Sequence, residues 1–288
     1  MSKEKFRTKK SPHWIQVFRW YIEHKNGITI QQLAEKYKCT RKYFLHHFKW
    51  YNLPVIIHRN NWRFADKEVK KDHWFFENID TELKAYLLGL MVSDGNVSKD
   101  LCKIVFVSKD SQQCELFRQA IAPSLSITAG TNNASVFSCY SKQLVKSLSK
   151  YGVVPRKSWL QEPLPMIEDS LIWHLIRGIF DGDGWCSVSK DKIYESYKCH
   201  WGICGRSIPL MGCLTYVFNN VGISSRRETR EDGLQKILVS KRLSLIILKD
   251  KLYTNSNYYL QRKADKLNFF LSTPSKLERA KPYKLRNA

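Results

Sequence analysis

The chain has 288 residues, 43% of them hydrophobic, and a formal net charge of +22 from 48 Lys and Arg against 26 Asp and Glu. No run approaches eighteen apolar residues, which argues against a helical membrane span, and the basic start MSKEKFRTKKSP lacks the apolar stretch of a secretory signal. An intracellular protein facing a polyanion is expected, because self-repulsion of this size is best tolerated against nucleic acid. The charge is spread, with +10 on residues 1–78 and +12 on the rest. A membrane surface is the second candidate, but no basic amphipathic helix stands out. Eight cysteines are scattered with no CxxC pair and no zinc spacing, so they read as thiols of a reducing compartment.

Residues 12–50 read as three short helices. SPHWIQVFRWYIEHKNG places Trp14, Val17, Phe18 and Tyr21 on one face and stops at Gly27, and ITIQQLAEKYKCT continues with Ile30, Leu33, Ala34 and Tyr37 at helical spacing. After a turn at Cys39-Thr40, TRKYFLHHFKWYNLP starts on Thr40 as N-cap and ends before Pro54. A helix, a short turn and a second helix with Arg41, Lys42, His46, His47 and Lys49 outward resemble a helix-turn-helix, whose second helix would enter the major groove. The plainer reading is a three-helix bundle with a solvated basic face. Arg41, Lys42 and His46 are the DNA-binding candidates here. Residues 54–78 read as a charged, aromatic linker with a short hairpin over 56–64.

From residue 79 the chain repeats itself. Asp94-Gly95 matches Asp183-Gly184, and SKQL at 141–144 matches SKRL at 240–243. Each copy runs motif helix, hairpin, amphipathic helix, second strand pair, last helix. The hairpin's second strand is KIVFVS in one copy and KCHWGICG in the other. The fold class expected is α+β: two pseudo-symmetric αββαββα repeats over 79–165 and 166–275, preceded by the small all-α domain at 1–53 and followed by a basic tail at 276–288.

The motif helices, ending LLGLMVSDG and IRGIFDGDG, raise a physical question. Each sets an aspartate at the negative pole of a helix, a placement that costs roughly 0.3–1 kcal/mol. Leu83, Leu87, Leu90 and Met91 form one apolar stripe, and Ile172, Ile176, Ile179 and Phe180 form the other. Gly89 and Gly178 sit mid-helix, each at a cost of about 1 kcal/mol against alanine, which is explained if the two helices meet there backbone to backbone. Packed in parallel, they bring Asp94 and Asp183 face to face, with Gly95 and Gly184 turning the chain away at the same point. Two such carboxylates repel unless a cation lies between them, and Mg²⁺, with Mn²⁺ as a substitute, suits their oxygen chemistry. Asp94, Asp183, Gly95 and Gly184 make the metal-site candidate.

With these residues the chain resembles the LAGLIDADG homing endonucleases of the single-chain, two-motif type, over about residues 79–275. The resemblance implies that each repeat's antiparallel sheet lies over the major groove of a long DNA site. It implies that Asp94 and Asp183 bind metal and activate water for phosphodiester hydrolysis. It also implies a basic catalytic residue beside each motif, for which Lys157 in VPRKS and Lys263 in YYLQRKADK are the matches. The first copy has Val92 where the second has Asp181, a position expected to be structural.

Strand residues should contact the DNA: Lys103, Ser108, Ser135 and Ser138 in the first copy; Ser187, Ser189, Lys198, His200, Arg226, Arg227, Arg230 and Lys236 in the second. The expected protein is a monomeric, metal-dependent endonuclease acting on double-stranded DNA. The alternatives are an RNA-binding intron maturase on the same scaffold and a non-catalytic DNA-binding regulator, against which the retained acids speak. The chain lacks an N-terminal Cys and a terminal His-Asn, so it is not read as an intein but as a free-standing protein.

Overall fold

A computed structural model describes residues 14–26, 28–51, 53, 55, 70–157, 160–190 and 196–274. The chain divides into two compact units, residues 1–68 and 69–288. The hairpin expected over 56–64 and the basic tail at 276–288 lie outside the described residues.

The first unit holds helices α1 (Trp14–Lys25), α2 (Ile30–Lys36) and α3 (Arg41–Trp50). Thr29 opens α2 with a capping box: its hydroxyl accepts from Gln32 N at 3.2 Å, and Gln32 Oε1 accepts from Thr29 N at 2.9 Å. Thr40 caps α3 by accepting from Tyr43 N. Between them Lys38 takes a left-handed φ of 51°, which makes the α2–α3 turn tight. Val17, Trp20, Leu33, Phe44 and Phe48 form the core. The buried stripe of α1 runs through Val17, Trp20 and His24, not through Phe18, which is exposed; positions i, i+3 and i+7 share a face that i+1 does not.

The second unit repeats one order of elements. Helix α4 (Glu82–Ser93) leads to β1 (Asn96–Val97), β2 (Lys103–Ser108), α5 (Ser111–Ile121), β3 (Thr128–Ala129), β4 (Ser135–Tyr140) and α6 (Lys142–Ser149). Helix α7 (Ile172–Asp183) leads to β5 (Gly184–Lys190), β6 (Tyr197–Gly205), α8 (Ile208–Asn220), β7 (Arg226–Thr229), β8 (Gln235–Val239) and α9 (Arg242–Tyr253). Both sheets are four-stranded and antiparallel, ordered β1-β2-β4-β3 and β5-β6-β8-β7. The fold is therefore α+β, with two αββαββα repeats on one continuous hydrophobic core.

Two features depart from the sequence reading. Residues 70–79 belong to this unit and not to a linker, because Phe75, Phe76 and Ile79 are buried in its core and Asp72 N donates to Ile121 O. The second repeat also carries an extra helix, α10 (Gln261–Ser272), which buries Lys263, Ala264, Leu267 and Phe270. Its apolar positions follow helical spacing, but the charges of QRKADK conceal them.

Helices α4 and α7 pack along each other in the same direction. Gly89 lies by Gly178 and, further on, Ser93 by Gly182, so contacts advance together along both helices. At the crossing the backbones touch. A Cβ on Gly89 would stand 2.2 Å from Leu175 O, and one on Gly178 would stand 2.2 Å from Tyr86 O. Glycine's helical cost is thus offset by a contact that no other residue permits. Gly178→Val should lower the unfolding free energy by about 3 kcal/mol through overpacking. Urea denaturation reads this, and a midpoint equal to wild type would mean that the backbones do not meet.

Candidate active site

The crossing of α4 and α7 sets where their C-termini end. Asp94 follows α4 directly, and Asp183 is the last residue of α7. Both line one cavity of about 470 Å³, together with Asn96, Lys157, Cys204 and Arg206 among others. Asp94 is exposed at the cavity surface and Asp183 is half-buried. Gly182 keeps the two ends close, since a Cβ there would stand 2.0 Å from Ser93 Oγ and 3.0 Å from Asp94 Oδ2.

Gly95 and Gly184 are required by space. Neither has a positive φ, and Gly184 is extended at φ −97°, ψ 163°, so no left-handed turn explains them. A Cβ on Gly95 would lie 2.6 Å from Met91 Cα, and one on Gly184 would lie 2.2 Å from the Phe180 ring. The strands must fold back across the helix ends at backbone contact.

Two lysines lie on those ends. Lys157 Nζ donates to Ser93 O at 2.7 Å and to Gly95 O at 2.6 Å. Lys263 Nζ donates to Phe180 O at 2.6 Å, Asp181 O at 2.9 Å and Gly184 O at 2.6 Å. Each ammonium thus sits on the carbonyls at the negative pole of a motif helix, the favourable place for a cation. The carbonyls of Gly95 and Gly184 are engaged by lysine, while the carboxylates of Asp94 and Asp183 line the cavity at the helix ends.

The electrostatics follow from this crowding. Burial pushes the Asp183 carboxyl up to about 6, the Asp94 charge pushes it the same way, and Lys157 and Lys263 oppose. Asp94 is raised by the surrounding protein, again against the two lysines. Burial lowers Lys157, and lowers Lys263 to about 8. The site holds two acids that protein alone ionises reluctantly, a state that a hard divalent cation relieves. Among the described residues no cluster of three or more His, Cys, Asp or Glu could hold a metal. The two carboxylates fit Mg²⁺ as a partial oxygen donor set, to be completed by water and phosphate.

Asp181 lies behind this arrangement. It is 3% exposed, and its Oδ2 accepts from Tyr86 Oη at 2.9 Å and from Leu260 N at 2.8 Å, while Oδ1 has no partner. It therefore ties α4, α7 and the start of α10, the helix that carries Lys263. Burial raises its carboxyl to about 6. Arg177 was not singled out from the sequence, although a base amid IRGIF is the signal. It is fully buried and donates to Glu82 Oε1 at 2.6 Å, Tyr258 O at 2.6 Å and Leu252 O at 2.7 Å.

The strand candidates divide by face. In the first sheet Ile104, Phe106, Phe137 and Cys139 are buried, so Lys103 and Ser138 point outward. Ser108 and Ser135 share the inner side, where Ser108 Oγ donates to Gln113 Oε1. In the second sheet Ser187, Ser189, Lys198, His200, Lys236 and Arg226 point outward, opposite the buried Cys199, Trp201 and Ile237. Arg226 pairs with Glu228 at 2.9 Å. Arg227 is opposite Ile237 on the inner side and donates to Gln235 Oε1 and Ile208 O, so strand alternation removes it from the outer face. Arg230 lies beyond the strand and pairs with Asp232. In the first unit Arg41, Lys42 and His46 are exposed along α3, and His47 is half-buried.

No protein-family model matches the chain, and no curated protein matches it in sequence. Solved structures resemble it at low identity. The I-LtrWI LAGLIDADG homing endonuclease bound to target DNA is 12% identical, over 69% of this chain and 90% of that one, with a TM-score of 0.45. The LAGLIDADG meganuclease I-AabMI bound to uncleaved DNA is 17% identical, over 65% and 88%, with a TM-score of 0.45. Full-length DUF199/WhiA from Thermatoga maritima is 14% identical, over 69% and 64%, with a TM-score of 0.42.

Without divalent metal, the raised carboxyls of Asp181 and Asp183 make stability depend on pH. The folded state holds these protons more tightly than the unfolded chain, so the stability these two groups contribute is fully present below pH about 4 and is lost as pH rises through about 6. Asp183→Asn should remove part of that fall, on the order of 1 kcal/mol once solvent screening of a half-buried group is allowed for. Thermal melts in EDTA across this range test it, and an undiminished fall in the variant would refute it.

Proposed function

We propose that the chain is a site-specific double-stranded DNA endonuclease. The observation that carries this reading is the meeting of Asp94 and Asp183, from matching helix ends, in one cavity joined to both sheets. Asn96 of β1 and Cys204 and Gly205 of β6 line that cavity beside the two acids. A duplex spanning both sheets would pass its backbone over the carboxylates. The net charge of +22 supports a polyanionic substrate.

In this reading Asp94 and Asp183 hold Mg²⁺, or Mn²⁺ in its place. The bound ion would supply Lewis-acid stabilisation of the phosphoryl oxygens and a water of lowered pKa. The protein's share is placement. Gly89 and Gly178 bring the helix ends together, and Lys157 and Lys263 hold those ends against the repulsion of two acids. Both lysines are spent on backbone carbonyls, so they act as positioning residues whose charge also favours the ionised carboxylates. The outward residues of the two sheets contact the DNA, and α3 of the first unit adds a helix-turn-helix contact through Arg41, Lys42 and His46. The protein acts as a monomer inside the cell. Among the described residues no helix is long and apolar enough to cross a membrane.

Cleavage of a randomised duplex library in Mg²⁺ or Mn²⁺ tests the reading. Wild type should enrich one cut sequence, and Asp94→Asn or Asp183→Asn should each slow cutting by about 10²–10⁴-fold, since losing a ligand forfeits part of the several kcal/mol that a bound ion supplies to the transition state. Duplexes bound but never cut with either metal would sink the enzyme. The regulator would then lead, or the maturase if RNA is retained instead.

The first unit has its own test. If α3 meets phosphates, Arg41→Ala and Lys42→Ala should each reduce the salt dependence of binding by about one unit of slope. Unchanged slopes would remove α3 from the interface.

A further inference from the structure

The two sheets repeat each other in topology but not in surface chemistry. The outer face of the second carries Lys198, His200, Lys236 and Arg226, with Glu228 opposite Lys236 and paired to Arg226. The outer face of the first is set by the register Lys103↔Tyr140, Val105↔Ser138 and Val107↔Val136. Its strands contain no acidic residue and a single basic one. That one cation, Lys103, lies 5.3 Å over the Tyr140 ring, so its charge is drawn to one end of the face. Val105 is central, between Asn96 and Ser138, and Val107 and Val136 face each other at the end away from Lys103, with Val107 43% exposed.

The face that carries these valines borders the cavity. Asn96 pairs with Val105 across the same face and also lines the cavity that holds Asp94 and Asp183. Whatever nucleic acid crosses the carboxylates therefore meets the valines next. Phosphates gain nothing from valine. Among base edges in the major groove, the apolar feature is the C5-methyl group of thymine. RNA carries uracil and lacks that methyl, so the valines favour DNA over RNA.

Resting on the DNA reading above, we infer that the first repeat recognises thymine methyl groups through Val105, Val107 and Val136, so that the target is chemically unequal in its two halves. One half is read by apolar contact with thymines. The other is read by charged and hydrogen-bonding side chains, of which lysine and arginine favour guanine edges.

The test uses the full chain. Duplexes are selected by binding from a random library with Ca²⁺ as the divalent cation, and the selected sequence is then made with deoxyuridine replacing thymidine in one half at a time. Uracil in one half should weaken binding about fourfold for each methyl lost, the size of one buried methyl group. In the other half it should change nothing. Val107→Ser, at an exposed position that leaves the core intact, should reduce the dependence in the sensitive half by about one methyl's share, and Lys198→Ala should leave it in place. Equal binding of thymine and uracil duplexes in both halves would overturn the inference while leaving the DNA reading standing. So would a methyl dependence that Val107→Ser does not alter. Failure to retain any duplex above the random pool would overturn both.

Discussion

Backbone contact between α4 and α7 at Gly89 and Gly178 is the constraint from which the rest follows. Two helices that touch at their Cα atoms cannot slide or rotate without collision, because carbonyls of one helix fill the space where side chains of the other would be. The distance between the helix ends is fixed, and with it the place where Asp94 and Asp183 stand. Ser93 against Gly182 repeats the same close approach one turn further on. The sheets begin within three residues of those ends, so their positions on either side of the cavity are set by the same crossing.

Such a crossing forces like charges and like dipole ends together. The protein meets this with cations as well as with the burial that raises the acids' pKa. Lys157 and Lys263 come from different contexts, a turn after α6 and a buried helix in the second repeat, yet both ammoniums settle on the last carbonyls of a motif helix. Neither bonds a carboxylate. The acids line the cavity while the backbone beneath them is neutralised. Asp181 then fixes α10 by its bond from Leu260 N, and so holds Lys263 over the end of α7.

Much of this was legible in the residues because it depends on local period and on repetition. The order of helices and strands, the aspartates and the mid-helix glycines follow from matched spacing in the two copies, whereas the two lysines, 63 residues after Asp94 and 80 after Asp183, were implied only by the resemblance to the LAGLIDADG family. What escaped notice had no counterpart in the other copy. Helix α10, Arg177 with Glu82, and the bond from Tyr86 to Asp181 each break the repeat. The roles of Gly95 and Gly184 escaped for another reason. Glycine after a helix reads as a left-handed turn, but here it answers to crowding by Met91 and Phe180, which only tertiary packing reveals. The inward aim of Ser108, Ser135 and Arg227 was available from strand alternation, once the register was known.

Those asymmetric contacts determine which half can recognise which. Across the helix crossing, the polar pairs run one way only: Glu82 and Tyr86 come from the first repeat, Arg177 and Asp181 from the second. Their counterparts by position, Leu171 and Leu175 in one direction and Leu88 and Val92 in the other, are apolar. Two copies of the second half brought together would bury two guanidiniums without a carboxylate and two aspartates without a phenol, a costly state. Two copies of the first would leave Glu82 and Tyr86 facing leucine and valine. The interface therefore rejects self-pairing and accepts only its complement, the property that would let the halves, severed into separate polypeptides, reassemble as a heterodimer.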